Sequence, residues 1–242
     1  MPEGPEVRNI TRILNIRLAG ANLISIDETS VNKRIKEVAC HGKLIIFVLE
    51  DLWLTCRLGM TGSFVFDAKS YRAKLVTSIG NLYFVDQRKL GKLEFLSEEE
   101  LRNKLNKLGV DLLEAALAGG IEDKEWLQII PTSRKKVCTF LLEQDRICGI
   151  GNYLRSEILY DAKIDPFKTL DSLTREELLR LKRSCLKLIL KSYMCNGLTI
   201  KNYIDPENNK GTFVCKVYRK QRDFLGNKVK SAKVGGRTIY YV

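Results

Sequence analysis

Between residues 22 and 96 the chain is cut into short β-rich pieces, and beyond residue 97 it reads as helix. That change of period, from two to about 3.6, limits the fold more than any other feature. Lys43-Leu-Ile-Ile-Phe-Val-Leu49, Leu52-Trp-Leu-Thr-Cys-Arg-Leu58, Ser63-Phe-Val-Phe66, Lys74-Leu-Val-Thr-Ser78 and Asn81-Leu-Tyr-Phe-Val85 are punctuated by Glu50-Asp51, Thr61-Gly62 and Gly80-Asn81. Short strands with turn signals at this spacing predict an antiparallel β-sandwich. Ahead of it, Val7, Ile10, Ile13, Leu14 and Leu18 predict a helix over 5–19, stopped by Gly20.

After Phe95, Ser97-Glu-Glu-Glu100 is a capping box whose helix Gly109 closes. Further helices are predicted over about 123–130, ending at Pro131, and from Thr132 or Ser133 to about 143. Another runs from Asn152, behind the break Gly149-Ile-Gly151, to about 161. Thr174-Arg-Glu-Glu177 opens a long helix with Leu178, Leu181, Cys185, Leu188 and Ile189 on one stripe, ended by Gly197. The last thirty residues return to strands around the turns Phe224–Asn227 and Gly235-Gly236. The class is therefore α+β. The expected division is a helix plus β-sandwich over 1–110, a helical domain over 111–210 and a β-hairpin over 211–242.

Forty-one Lys and Arg against 29 Asp and Glu leave a net charge of +12. Residues 210–242 hold nine of the basic residues and one acid, Asp223, so +8 of the +12 falls in this stretch. Phe213, Tyr218, Phe224, Tyr240 and Tyr241 lie among them, which marks a folded basic element rather than a tail. A polyanion, nucleic acid first, is the expected partner, with a solvated basic surface as the bland alternative. No apolar stretch approaches 18 residues, and Met-Pro-Glu-Gly-Pro-Glu does not resemble a signal peptide. Seven scattered cysteines, none spaced C-x-x-C, point to a reducing compartment inside the cell.

The chemistry sits at the start of the chain. Removal of Met1 exposes Pro2 as a secondary amine, which attacks an aldehyde-like carbon and forms an iminium directly. Glu3 and Glu6 stand beside it as proton carriers. The competing reading is structural, since Pro2 and Pro5 suit the first turn of a helix and Glu6 can cap it.

Five segments carry a resemblance. Met1-Pro-Glu-Gly-Pro-Glu-Val7, Gly42-Lys43 before an apolar strand, Leu58-Gly-Met-Thr-Gly62, Gly149-Ile-Gly-Asn-Tyr-Leu-Arg-Ser-Glu157 and Gly235-Gly-Arg-Thr238 stand in one order along the whole chain. Together they resemble the formamidopyrimidine-DNA glycosylase/endonuclease VIII family of base-excision repair. The resemblance implies a β-sandwich, a helix–two-turn–helix domain and a finger. It also implies a bifunctional enzyme that removes a damaged base and cuts the abasic site by β,δ-elimination. Pro2 would be the nucleophile, Glu3 the general acid/base, Glu6 a weaker catalytic candidate, and Lys43 a phosphate holder beside the lesion. Asn152, at a helix start, and Arg237, behind two glycines, would bind DNA phosphates. Met60, Arg88 and Leu90 would fill the space a flipped nucleotide leaves. Outside that context Lys43 reads as a strand-end lysine, Asn152 as part of a tight turn, Arg237 as a solvated charge and Met60 as core.

Several positions depart from the family pattern. Leu90 stands where an aromatic wedge is usual, which suggests a relaxed hold on the opposite strand and activity on single-stranded DNA. Arg57 replaces a common His and remains a DNA contact. The finger lacks the four zinc-binding cysteines, Cys215 standing alone, so no metal and no cofactor are expected and the hairpin would be zincless, held by Phe213, Val217, Phe224, Val229, Ile239 and Tyr241. His41, beside Lys43, reads as structural or DNA-proximal. That finger and a short 200–214 loop favour the endonuclease VIII-like branch, with oxidised pyrimidines and hydantoins as lesions. The expected partner is damaged DNA, duplex and also single-stranded, bound by a monomer with no membrane association. The competing classes are a non-catalytic DNA-binding module of the same fold and, more distantly, an RNA-binding protein.

Overall fold

A computed structural model describes residues 2–199 and 204–242. The chain divides into two compact units, one holding the chain up to Lys107 with the segment Cys195–Thr212, the other Leu108–Met194 with Phe213–Val242.

The first unit opens on α1 (Gly4–Leu18), whose Val7, Ile10, Leu14 and Leu18 are buried. Eight strands follow: β1 (Asn22–Ile26), β2 (Thr29–His41), β3 (Leu44–Leu49), β4 (Trp53–Arg57), β5 (Ser63–Val65), β6 (Ala73–Thr77), β7 (Gly80–Val85) and β8 (Lys92–Leu96). They form one antiparallel sheet in the order β5-β7-β6-β1-β2-β3-β4-β8. In that order β3 and β5 are five strand positions apart, which in a flat sheet is roughly 24 Å. Phe47 of β3 and Phe64 of β5 nevertheless meet edge to face with centroids 5.7 Å apart. The sheet therefore folds over on itself, and its two halves enclose a core of Ile45, Phe47, Leu54, Phe64, Leu75, Leu82 and Phe84. The sandwich expected from the short strands is thus two halves of one hydrogen-bonded sheet.

The long strand β2 joins those halves, pairing with β1 on one side and β3 on the other. The register shifts between Ile35 and Glu37, and the Val38 N–H donates to Asn15 Oδ1 of α1 at 2.8 Å. Helix α1 is thereby fastened to the strand that leads to Gly42-Lys43. Helix α2 (Glu98–Leu105) closes the run with the expected box, Glu100 N–H donating to Ser97 Oγ and Ser97 N–H to Glu100 Oε2.

In the second unit a two-residue parallel pair, β9 (Val110–Asp111) and β10 (Ile147–Cys148), brackets α3 (Leu112–Leu117), α4 (Asp123–Ile129) and α5 (Val137–Phe140). Then come α6 (Asn152–Ala162), α7 (Arg175–Met194) and a hairpin of β11 (Lys230–Val234) and β12 (Arg237–Tyr241). The helix expected from residue 132 to 143 is only the single turn α5. Residues 133–137 bond instead to the 168–171 segment, with Val137 N–H on Lys168 O, Leu170 N–H on Lys135 O and Asp171 N–H on Ser133 O. A backbone already paired sideways has no groups left for a helix there.

Candidate functional site

At the start of α1 the predicted catalytic residues are packed in. Pro2 is buried, and Glu3 and Glu6 are 2% and 1% exposed. Glu3 is the N-cap, and the Glu3 N–H donates to Glu6 Oε2 at 2.8 Å, so the two acids form a capping box. The other Glu6 oxygen accepts from the Leu198 N–H at 2.7 Å. Both Glu6 oxygens thus receive backbone N–H groups, and the carboxylate ties the N-terminal turn to the segment behind α7. Within it, Asp205 accepts from the N–H groups of Glu207 and Asn209 and from Asn209 Nδ2. The loop expected to bear on lesion choice spans 200–214, and its residues 200–203 lie outside the described ones.

Lys43 stands in the two-residue turn between β2 and β3, next to His41, and is half-buried. Arg57, at the end of β4, is exposed. Met60 and Leu90 are 40% and 53% exposed, so neither is core, and Arg88 Nη1 lies 3.2 Å from Met60 Sδ. Behind them Asp86, 5% exposed, accepts from Thr61 Oγ1 at 2.6 Å, from the Gly91 N–H at 2.7 Å and from Arg72 Nη1 at 3.3 Å. Burial works against its charge, but Thr61, the Gly91 N–H and Arg72 outweigh it and hold the carboxyl below the usual carboxylate range.

In the second unit Asn152, half-buried, opens α6, and the positive end of a helix dipole favours an anion. Its Nδ2 donates to Thr238 O of β12 at 2.9 Å, and its Oδ1 accepts from Arg155 Nη2 at 2.6 Å. Arg155 is fully buried and also donates to Cys138 O at 3.0 Å and Thr238 O at 3.2 Å. One guanidinium therefore joins α5, α6 and β12. Arg237 begins β12 immediately after Gly235 and Gly236, whose φ values of +57° and +77° make the tight turn that projects it, exposed, at the hairpin tip. Asn152 and Arg237 are thus held on adjoining elements of one unit.

Two family models match this chain, the formamidopyrimidine-DNA glycosylase N-terminal domain over residues 1–93 and the H2TH domain of the same glycosylase over 108–203. The chain belongs to the formamidopyrimidine-DNA glycosylase family. Glycosylases of that name from Pelotomaculum thermopropionicum and Thermus thermophilus are 28% and 29% identical, each match covering 100% of this chain and 97% of the relative. The crystal structure of the MutM (Fpg) protein from Thermus thermophilus superposes with a TM-score of 0.90 at 29% identity, covering 100% of this chain and 97% of that one. The Lactococcus lactis Fpg in complex with abasic-site DNA gives 0.87 at 25% identity, over 99% and 97% of the two chains. As a member of the family the chain is a DNA glycosylase of base-excision repair with abasic-site lyase activity. No helix among the described residues is long and apolar enough to cross a membrane.

Three residues of this glycosylase carry more of the architecture than their sequence context announced: Asp86, Arg155 and Glu157. Glu157, 2% exposed on α6, accepts from the N–H groups of Lys216, Val217 and Tyr218 at 2.7, 2.9 and 2.8 Å. Asp223 accepts from the N–H groups of Leu225 and Asn227, from Asn227 Nδ2 and from the Tyr160 hydroxyl. Among the described residues no three His, Cys, Asp or Glu side chains gather to hold a metal ion. Of the apolar set expected to hold the hairpin, Phe213, Val217 and Ile239 are buried, whereas Phe224 is 67% exposed. Arg155 and Glu157 fall inside the quoted helix–two-turn–helix segment, so a charged pair on an otherwise buried helix was the signal available.

Proposed function

We propose that this glycosylase acts through Pro2, freed by removal of Met1. The pyrrolidine nitrogen attacks C1′ of the damaged nucleotide, and the base leaves carrying a proton from the Glu3 carboxyl. The Glu3 carboxylate takes the proton from the now cationic Pro2 nitrogen and passes it to the sugar ring oxygen, and the ring opens to leave an iminium between Pro2 and C1′. Loss of a C2′ proton expels the 3′ phosphate, a second elimination expels the 5′ phosphate, and water releases the sugar remnant and regenerates the amine. Lys43 holds a phosphate beside the lesion. Asn152 and Arg237 grip phosphates from the second unit with Arg57 as a further contact, and Met60, Arg88 and Leu90 fill the vacated space in the duplex.

One observation supports this most: the capping box sets Glu3 at the head of α1 directly behind Pro2, with Glu6 committed to two backbone N–H groups. Glu3 is then the acid/base and Glu6 the residue that fixes it. Borohydride reduction on an abasic oligonucleotide should trap a covalent adduct, lost in Pro2→Gly or when an N-terminal extension is retained. Adduct formation with a blocked N-terminus overturns the assignment, and salt-sensitive binding without strand cleavage would favour a non-catalytic DNA-binding module.

For lesion class we infer oxidised pyrimidines and hydantoins, supported by a hairpin without cysteine ligands and by the short loop behind α7. A second reading, ring-opened purines, is favoured by the relatives' name and by the Lactococcus lactis complex with DNA containing Fapy-dG. A panel of both lesions in duplex and single-stranded form separates them. Greater excision of ring-opened purines by tenfold or more would set the first reading aside.

A further inference from the structure

We propose that Asp86 is a positioning residue for the opposite-strand hold, its buried carboxylate clamping the 58–62 turn and the 86–91 turn into one platform. This rests on the reading above that Met60, Arg88 and Leu90 fill the duplex. The three lie on two turns far apart in sequence, and exposed side chains on independent turns would lose much of their contact energy to ordering. The hydrogen bonds remove that independence. Asp86 Oδ1 accepts from Thr61 Oγ1 at 2.6 Å, and the same hydroxyl oxygen accepts from the Arg88 N–H at 3.1 Å. Thr61 thus relays between the carboxylate and the backbone of a filler residue. Asp86 Oδ2 accepts from the Gly91 N–H at 2.7 Å, directly behind Leu90, while the Asp86 carbonyl closes the turn by accepting from the Lys89 N–H at 3.2 Å. Arg72 completes the clamp by donating to Asp86 Oδ2 and, at 2.7 Å, to Gly91 O.

The backbones are in contact as well. A Cβ on Gly59 would lie 2.8 Å from the Leu90 carbonyl carbon, and one on Gly91 would lie 2.7 Å from Phe84 Cζ and 3.1 Å from Asp86 Oδ2. No side chain other than hydrogen fits at either place. Asp86 itself is almost wholly covered, whereas Met60 and Leu90 are open to solvent, so the carboxylate acts from behind the surface that would meet DNA.

The clamp matters only where there is a second strand to hold. Thr61→Val keeps the shape and deletes the relay without stranding a buried charge, whereas Asp86→Asn tests the carboxylate itself. Both should lower excision from duplex DNA on the order of tenfold, as expected for a lost hydrogen bond to a charged group. Excision from the same lesion in single-stranded DNA should stay within about twofold, and Thr61→Ser should restore the duplex rate. A 2-aminopurine opposite the lesion reports the filling directly, its fluorescence rise being reduced in Thr61→Val and in Met60→Ala. If Met60→Ala changes that signal and Thr61→Val does not, the positioning role of Asp86 is refuted while the filler reading stands. If neither Met60→Ala nor Arg88→Ala changes it, the filler reading fails and the proposal with it. Equal losses on both DNA forms in Thr61→Val would mark a purely structural residue and also refute it.

Discussion

Glu3 and Glu6 are one helical turn apart, almost equally buried and bonded to each other's backbone N–H in the capping box, and Glu6 adds the N–H of Leu198. Glu6 accepts a backbone N–H on each of its oxygens. Glu6→Gln replaces one acceptor by a donor that faces an N–H, an unmade buried hydrogen bond worth about 1–3 kcal/mol. The expected result is a lower melting temperature with borohydride trapping retained. Glu3→Gln keeps an oxygen that can accept from the Glu6 N–H, so it should lower the melting temperature less than Glu6→Gln does and suppress turnover on an intact lesion. Parallel thermal unfolding and single-turnover excision check the pair, and loss of trapping in Glu6→Gln at unchanged stability would return it to the catalytic set. The amine of Pro2 and the carboxylates of Glu3 and Glu6 could be picked out from the sequence as a proposed set. The second tie of Glu6 could not, because the Leu198 N–H that makes it comes from 192 residues away.

At the scale of elements, the hairpin unit is organised by carboxylates. Glu157 gathers three successive N–H groups ahead of it, and Asp223 gathers a turn while accepting from Tyr160, whose hydroxyl is pushed up to about 12 by burial and by that bond. Glu157→Gln should cost about 1–3 kcal/mol and speed amide exchange at 216–218 ahead of the rest of the unit. Uniform exchange across the unit would show that the bonds do not act locally. Chelation should leave melting temperature and excision unchanged, and stoichiometric zinc in the purified protein would contradict that expectation. Helices α1 and α7 were legible from their apolar stripes, and α6 from the Gly149-Ile-Gly151 break ahead of Asn152. The strand β2 was not picked out individually, since Lys33, Arg34, Lys36 and Glu37 hide the alternation of Val31, Ile35 and Val38. The single turn α5 was overread as a longer helix because its competitors for hydrogen bonds, residues 168–171, are distant in sequence.

For the molecule as a whole, both units carry covered aspartates held below the usual range. Burial opposes the charge of Asp86, Asp161 and Asp223, and their hydrogen bonds and nearby cations outweigh it. A carboxyl lowered in the folded state contributes stability above its unfolded pKa, about 4, and loses it as pH falls through the folded value. Melting temperature should therefore be flat above about pH 5 and fall below about pH 4, with a shallower fall in Asp223→Asn. A curve that declines equally between pH 7 and 5 would assign the effect to other groups. DNA affinity follows the cations, and Arg237→Ala should reduce the slope of log K against log salt by about one, without altering lesion preference.

By itself the sequence determined the α+β class, the order of the main helices and the family, because caps, periodicities and short motifs are local properties that survive without the fold. It also located a charge of +8 of the total +12 in the last 33 residues. Tertiary structure alone decided that one sheet folds over to make the sandwich, that Glu6 is also bound by the Leu198 N–H, and that Asp86 and Arg155 lie buried at the junctions of separate elements. The reason is physical: a carboxylate or guanidinium has the same formula in water and in a core. Only the donors and acceptors brought to it from distant parts of the chain determine whether it is solvated, structural or poised to react.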